Sequence, residues 1–242
     1  MFISDTQNWS ESTFGMCALG DARRTKRLVK MAASLAANIG QSVVKSVDDE
    51  SQVEGAYRLL RNTQVLSEDI AEGGFSATAA LVKDKGTLLA LEDSTSLNFR
   101  HGVAEALGYI GPPSQKKKGI QVHSVLLLNA KNKETLGLIE QSRWLRQVSA
   151  LANKNKRARQ AYADKESFKW QRSSESMAER LGDTLRQTIS VCDRESDIYE
   201  YMHYKVNAGQ RFVVRTHYNR KLGDNKLKLF ECVRELEGVG TY

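Results

Sequence analysis

Residues that staple or interrupt a chain are scarce in this one. Three cysteines occur in 242 residues, Cys17, Cys192 and Cys232. Their odd number, wide spacing and lack of any C-x-x-C pair argue against a disulfide framework and a thiolate metal site, and fit a reducing cytoplasm. Proline occurs only as Pro112-Pro113, so long Pro-rich linkers are excluded. No run approaches the ~20 apolar residues of a membrane span. Met1-Phe2-Ile3-Ser4-Asp5 has neither the basic nor the apolar region of a secretory signal. P-loop, G-x-S-x-G and dinucleotide-type glycine patterns are missing, and His101, His123, His203 and His217 show no ligand spacing. What is present is an apolar fraction of 40%, enough for a core. The length suits one large domain or one domain with a small companion. A soluble, cytoplasmic globular protein is expected.

Acidic residues are the scarcer charge: 36 Lys+Arg stand against 29 Asp+Glu, for a net charge of +7 and a pI of about 9.3. Between Lys116 and Arg172, fourteen basic residues meet four acidic ones, a surplus larger than that of the whole chain. Concentrated positive charge beside a near-neutral remainder is the footprint of a polyanion-binding surface. A run such as Lys116-Lys117-Lys118 is equally compatible with a solvated loop.

Residues 1–70 read as helical. Asp21 is placed to cap a helix that Gly40 closes. Leu28, Ala32, Leu35 and Ile39 form its apolar stripe, with Arg23, Lys26, Arg27 and Lys30 nearly opposite. A second helix is expected from Gln52 to Arg61, with Val53, Ala56, Tyr57 and Leu60 inward and Glu54, Arg58 and Arg61 outward. One wet basic face is ordinary. Two in one small helical unit suggest phosphate contacts, the main source of nucleic-acid affinity.

Beyond Glu72 the periodicity changes. Thr87 to Glu92 reads as a strand broken by Asp93-Ser94-Thr95. Val122–Asn129 and Leu136–Trp144 read as a hairpin about the turn Lys131-Asn132-Lys133-Glu134. A helix over Phe168–Gln187, a strand over Thr188–Cys192, a helix from Asp197 to Val206 and a strand over Arg211–Arg215 complete the pattern. The fold class is α/β: a helical head, residues 1–70, followed by a mixed-sheet body, residues 71–242.

Asp93 and Asp193 each follow an apolar strand. If those strands are neighbours, the two carboxylates stand together, and adjacent carboxylates in an apolar setting need a cation between them. Mg²⁺ suits this best, taking oxygen ligands from one or two carboxylates plus phosphate and water. Paired ions of this kind can activate an attacking hydroxyl and stabilise the leaving oxygen in phosphoryl transfer. An Asp after a strand is also a common turn or N-cap residue, and spacing alone leaves both readings open.

Six blocks occur in the order of one known family. They are Gly20-Asp21-Ala22-Arg23-Arg24-Thr25, Glu54-Gly55-Ala56-Tyr57-Arg58, Leu91-Glu92-Asp93-Ser94-Thr95-Ser96-Leu97, Val122-His123-Ser124-Val125-Leu126-Leu127-Leu128, Val191-Cys192-Asp193-Arg194-Glu195-Ser196-Asp197-Ile198 and Arg211-Phe212-Val213-Val214-Arg215. From about residue 9 onward the chain resembles the cut-and-paste DDE transposases of bacterial insertion sequences, in the branch of the composite kanamycin-resistance transposon. The resemblance implies an end-binding helical domain, then an RNase H-like core. It also implies Mg²⁺ (or Mn²⁺) chemistry on double-stranded DNA, at transposon ends and target, in a cytoplasmic, nucleoid-associated protein. By the same resemblance, Asp93 and Asp193 match two metal-binding, catalytic carboxylates, and Arg23, Arg24, Arg58 and Arg61 match the DNA-contacting head. Arg215 matches a basic residue near the active site, and Lys116, Lys117 and Lys118 fall where the family approaches DNA. Ile120-Gln121 stands where the family has a Trp pair. The family's third carboxylate and dimerisation helices have no counterpart before Tyr242, and neither Glu195 nor Glu231 matches the missing Glu. Two functions are therefore expected: a transposase portion with little cleavage of its own, or a non-catalytic regulator that occupies transposon ends and blocks the complete enzyme.

Overall fold

A computed structural model describes residues 5–47, 49–100, 102–146, 159–223 and 227–238. His101, the part of the basic stretch at 147–158 and the final Gly240-Thr241-Tyr242 lie outside the described residues. The head comprises α1 (Thr6–Phe14), α2 (Ala22–Ala37), α3 (Val43–Ser46) and α4 (Glu50–Leu60). Asp21 caps α2, its carboxylate accepting from the Arg23 amide at 2.8 Å. Asp49 caps α4 through the Gln52 amide. Cys17, Leu19, Leu28, Met31, Ala56 and Leu59 form the head's core. Two expected inward residues are corrected. Ile39 lies beyond the end of α2 and is 70% exposed, and Leu60 is turned out while Leu59 is buried. Successive helical residues are ~100° apart, so a shift of one position exchanges the buried leucine.

Helix α5 (Ser67–Leu81) carries the chain across residue 70, packing on α1 and on the sheet. Gly73 allows the close approach to the head, since a Cβ there would run into the Cys17 sulfur. The body then adds β1 (Leu88–Phe99), β2 (Gly108–Tyr109), β3 (Lys118–Asn129), β4 (Thr135–Trp144), α6 (Lys169–Leu181), β5 (Thr188–Cys192), α7 (Tyr199–Asn207), β6 (Arg211–Val214) and α8 (Leu229–Glu235). In the sheet, β4 is antiparallel to β3 and β3 to β1, while β1, β5 and β6 run parallel. The short β2 pairs with the start of β3. The fold is thus α/β: a helical N-terminal region, then a mixed sheet with helices. The main core joins Leu88, Ala90, Val125, Leu127 and Ile139 of the sheet to Val82, Met177 and Leu181.

Three further expectations are corrected. Asp93-Ser94-Thr95 does not break β1, which pairs with β3 as far as Phe99↔Lys118. Polar cross-strand partners sustain it: Ser94 shares a hydrogen bond with His123 (2.9 Å), and Ser96 donates to Gln121 (2.9 Å). Lys118 belongs to β3 rather than to a loop. The long helix over 168–187 is α6 up to Leu181, then tightens into a 3₁₀ segment from Gly182, whose φ is +51°.

A polar network lies beneath the sheet. Glu92 and Lys205 are both buried, 4.0 Å apart, and Lys205 donates to Ser190 (2.8 Å) and Gln210 (2.9 Å). His123 packs edge-on against Trp170 at 4.6 Å. Burial, reinforced by the Lys169 and Arg172 cations, pulls the His123 pKa down to about 3. The imidazole is therefore neutral in the fold, whereas in the unfolded chain it charges below about pH 6.5. Its contribution is fully present above that value and lost as pH falls toward 3. Between pH 7 and 5 we expect a loss of ~2 kcal/mol in urea-unfolding stability. The loss should be smaller in His123→Asn, and identical pH dependence in the two proteins would remove His123 as the cause.

Candidate nucleic-acid interface and carboxylate pair

The basic faces of α2 and α4 meet. Arg23, Arg24, Arg27, Arg58, Gly55, Leu59 and Asn62 line a shallow cleft of about 190 Å³ between them. Gly55 has a specific role here, because a Cβ would collide with the guanidinium of Arg27, which lies across α4. Arg24 is tethered, donating to the Leu19 carbonyl at 3.0 Å and to Gln64. The Arg23 guanidinium pairs with Asp21 at 3.2 Å, yet its side chain is 91% exposed. Arg58 pairs loosely with Glu54 at 3.5 Å, one turn away. Arg61 stacks over the Tyr57 ring at 5.3 Å from its centroid, and Lys26 and Lys30 stand exposed further along α2. Such exposed pairs cost little to exchange for phosphate contacts.

At the sheet, β1 and β5 are adjacent and parallel, in the register Leu91↔Val191 and Glu92↔Cys192. The next residue on each strand is Asp93 and Asp193, so the two carboxylates occupy neighbouring positions. Side chains alternate along a strand: Leu88, Ala90 and Glu92 are buried, while Asp93 is exposed on the other face. Asp193 is likewise exposed, and one of its oxygens accepts from the Glu195 amide at 2.9 Å. Beyond them β6 pairs with β5, Cys192 opposite Val214. The Arg215 amide donates to the Cys192 carbonyl at 3.0 Å, so Arg215 flanks Asp193. Asp93 on β1, Asp193 just past β5 and Arg215 just past β6 thus follow successive register pairs. Lys116, Lys117 and Lys118 line a separate surface hollow with Arg100 and Glu105, and Lys118 donates to the Glu105 carbonyl at 3.1 Å.

Among the described residues no three His, Cys, Asp or Glu side chains converge on a metal position. Glu195 is engaged by Lys169 at 3.2 Å, and Glu231 accepts from the Lys228 amide. Ile120-Gln121 lies within β3, with Gln121 buried.

Gly55, Asn62 and Gln64 acquire their place at the cleft only in the fold. A glycine in mid-helix is a signal of close approach, but Asn62 and Gln64 follow α4 and carry no pattern of their own.

A helical head with an arginine-lined cleft, joined to a mixed sheet with helices, defines an α/β protein with a strongly cationic N-terminal surface. The comparison with known families is more specific: residues 6–65 match the transposase DNA-binding family. The head is therefore a transposase DNA-binding domain, and DNA is a partner of this protein.

Proposed function

We propose that this chain grips the end of a transposable element through the α2–α4 cleft and presents Asp93, Asp193 and Arg215 to the DNA backbone. The observation that carries the reading is the parallel register aligning the residues after Glu92 and Cys192. The strand order, three antiparallel then two parallel, supports an RNase H-like body of the DDE type. The carboxylate pair fits a divalent cation: both groups are exposed, neither is tied up in an ion pair among the described residues, and two oxygens plus water and phosphate satisfy Mg²⁺. Asp93 and Asp193 would hold Mg²⁺ (or Mn²⁺), which when bound supplies charge stabilisation for phosphodiester cleavage. The residues of the chain do the rest. The cleft arginines fix the duplex through its phosphates, the Glu195 amide orients one oxygen of Asp193, and Arg215 places a cation beside the backbone being held. With two carboxylates in this arrangement among the described residues, strand cleavage by the chain is slow.

The decisive measurement is binding to the terminal repeats flanking its gene, against random duplex, across a salt series. We expect a preference of ~10³ or more and steep salt dependence. Arg27→Ala/Arg58→Ala should lower the slope of log K against log [salt] by about 2. Equal affinity for both duplexes would overturn the reading. A regulator is the second reading, favoured by the fact that the cleft is complete within residues 23–62. Inhibition of a complete transposase, without Mg²⁺-dependent excision by this chain, would select it.

A further inference from the structure

The segment after β6 carries exposed residues, yet its backbone is held: at its far end Leu229 and Phe230 donate to the Arg220 carbonyl and the Asn219 side chain (2.9 Å each), and nearer Arg215 it is gathered on Asp197. Asp197 is 6% exposed and lies four residues beyond Asp193. One of its oxygens accepts from the His217 amide (2.6 Å), the Tyr218 amide (3.1 Å) and the Thr216 hydroxyl (3.3 Å). The other accepts from Arg220 at 2.5 Å. A single buried carboxylate thus collects four donors from residues 216–220, and Arg220 also reaches its main-chain carbonyl at 3.3 Å. On the near side, the Arg215 amide is bonded to Cys192. The residue that carries the cation therefore stands between two fixed points, one on β5 and one on Asp197.

We infer that Asp197 is a positioning residue: it clamps residues 216–220 so that Arg215 is held beside Asp193 to meet a DNA phosphate. This rests on the reading of Arg215 as a backbone contact in the proposed function. The physical reason is conformational entropy. A loose run of five residues loses conformational freedom when it is ordered, and a long arginine beside such a run would have to meet that cost when it binds. Hydrogen bonds to an ionised acceptor are the strong kind. The donors around Asp197 hold its carboxyl below the usual carboxylate range despite its burial, so the clamp is charged at neutral pH. Asparagine is a poor replacement: with its one oxygen left to the 216–218 donors, its amide nitrogen faces the Arg220 guanidinium, and the negative charge is lost.

The test uses the full chain, a terminal-repeat duplex long enough to reach the sheet, and Ca²⁺ in place of Mg²⁺. Arg215→Ala should weaken binding about 5–10-fold and reduce the salt slope by about 1. Asp197→Asn should reproduce both changes, and the double variant should lose nothing more. Hydrogen exchange at the His217 and Tyr218 amides should accelerate at least ~10-fold in Asp197→Asn while β5 stays protected. Should Asp197→Asn not fold, Arg220→Ala leaves the carboxylate its backbone donors. It should cost part of the Arg215 effect in the native background and nothing in the Arg215→Ala background. A full Arg215 effect with native binding in Asp197→Asn, or in Arg220→Ala, overturns the inference and leaves the DNA-contact reading standing. If Arg215→Ala changes nothing, there is no contact to position, and both fall.

Discussion

Replacing Lys205 with methionine is expected to destabilise the protein by ~3–5 kcal/mol, the usual cost of removing one partner from a buried ion pair. The lysine is fully buried, and its ammonium stands 4.0 Å from a Glu92 carboxylate with no hydrogen-bond partner of its own among the described residues. Burial raises the Glu92 pKa against the opposing pull of Lys205. Without that cation the carboxyl must take up a proton to stay inside. Lys205→Met also orphans Ser190 and Gln210, each of which now accepts from the ammonium. The double variant Glu92→Gln/Lys205→Met removes both charges and should recover most of the loss. Urea unfolding of the four proteins of this cycle decides it. A loss under ~1 kcal/mol in Lys205→Met would show that the pair is not held as an ion pair.

The second large effect is expected at Arg180. Its guanidinium donates to Glu140 (2.5 Å), Glu72 (2.7 Å) and the Ile139 carbonyl (3.2 Å), and lies 4.8 Å from the centre of the Phe75 ring. One side chain of α6 therefore ties together α5, β4 and α6. Arg180→Ala should cost ~2–4 kcal/mol, because Glu140 is left nearly buried with no counter-charge among the described residues. Arg180→Lys should recover only part, since an ammonium cannot bridge two carboxylates as a planar fork does. The pH dependence carries its own signature. Arg180 holds the Glu72 carboxyl below its ordinary value. The stabilisation is thus present above the unfolded value of about 4.3 and lost as pH falls through the folded one. Arg180→Ala should flatten the Glu72 part of that acid limb. Thermal melts at pH 7 and pH 4 that differ equally in both proteins would rule the contact out as its source.

The strands were legible where apolar residues run together, as in Leu88–Leu91 and Val125–Leu128. The continuation of β1 through Asp93-Ser94-Thr95 was not, because Asp is depleted in strands and a single Thr does not offset it. They are held by Ser94–His123 and Ser96–Gln121, partners 25 to 29 residues away. For the same reason Asp93 and Asp193 could be picked out singly, while their adjacency required a parallel pairing that no local pattern states. The arginine stripe of α2 was readable from helical periodicity. Which of its members lies free was not: Arg24 is committed to Leu19 and Gln64, and Arg27 rests where Gly55 leaves room. The clamp at Asp197 was hidden behind its resemblance to a helix start.

Helix α5 has a mechanical consequence. Because it lies against α1 on one side and β4 on the other, with Gly73 seated flush on Cys17, it acts as a splint between the two halves. On the proposed reading of the cleft, force applied by a duplex held at the arginines would pass to the sheet as a lever stroke rather than be absorbed at a swivel. The tilt between a duplex in that cleft and the sheet would then follow from how this helix is packed.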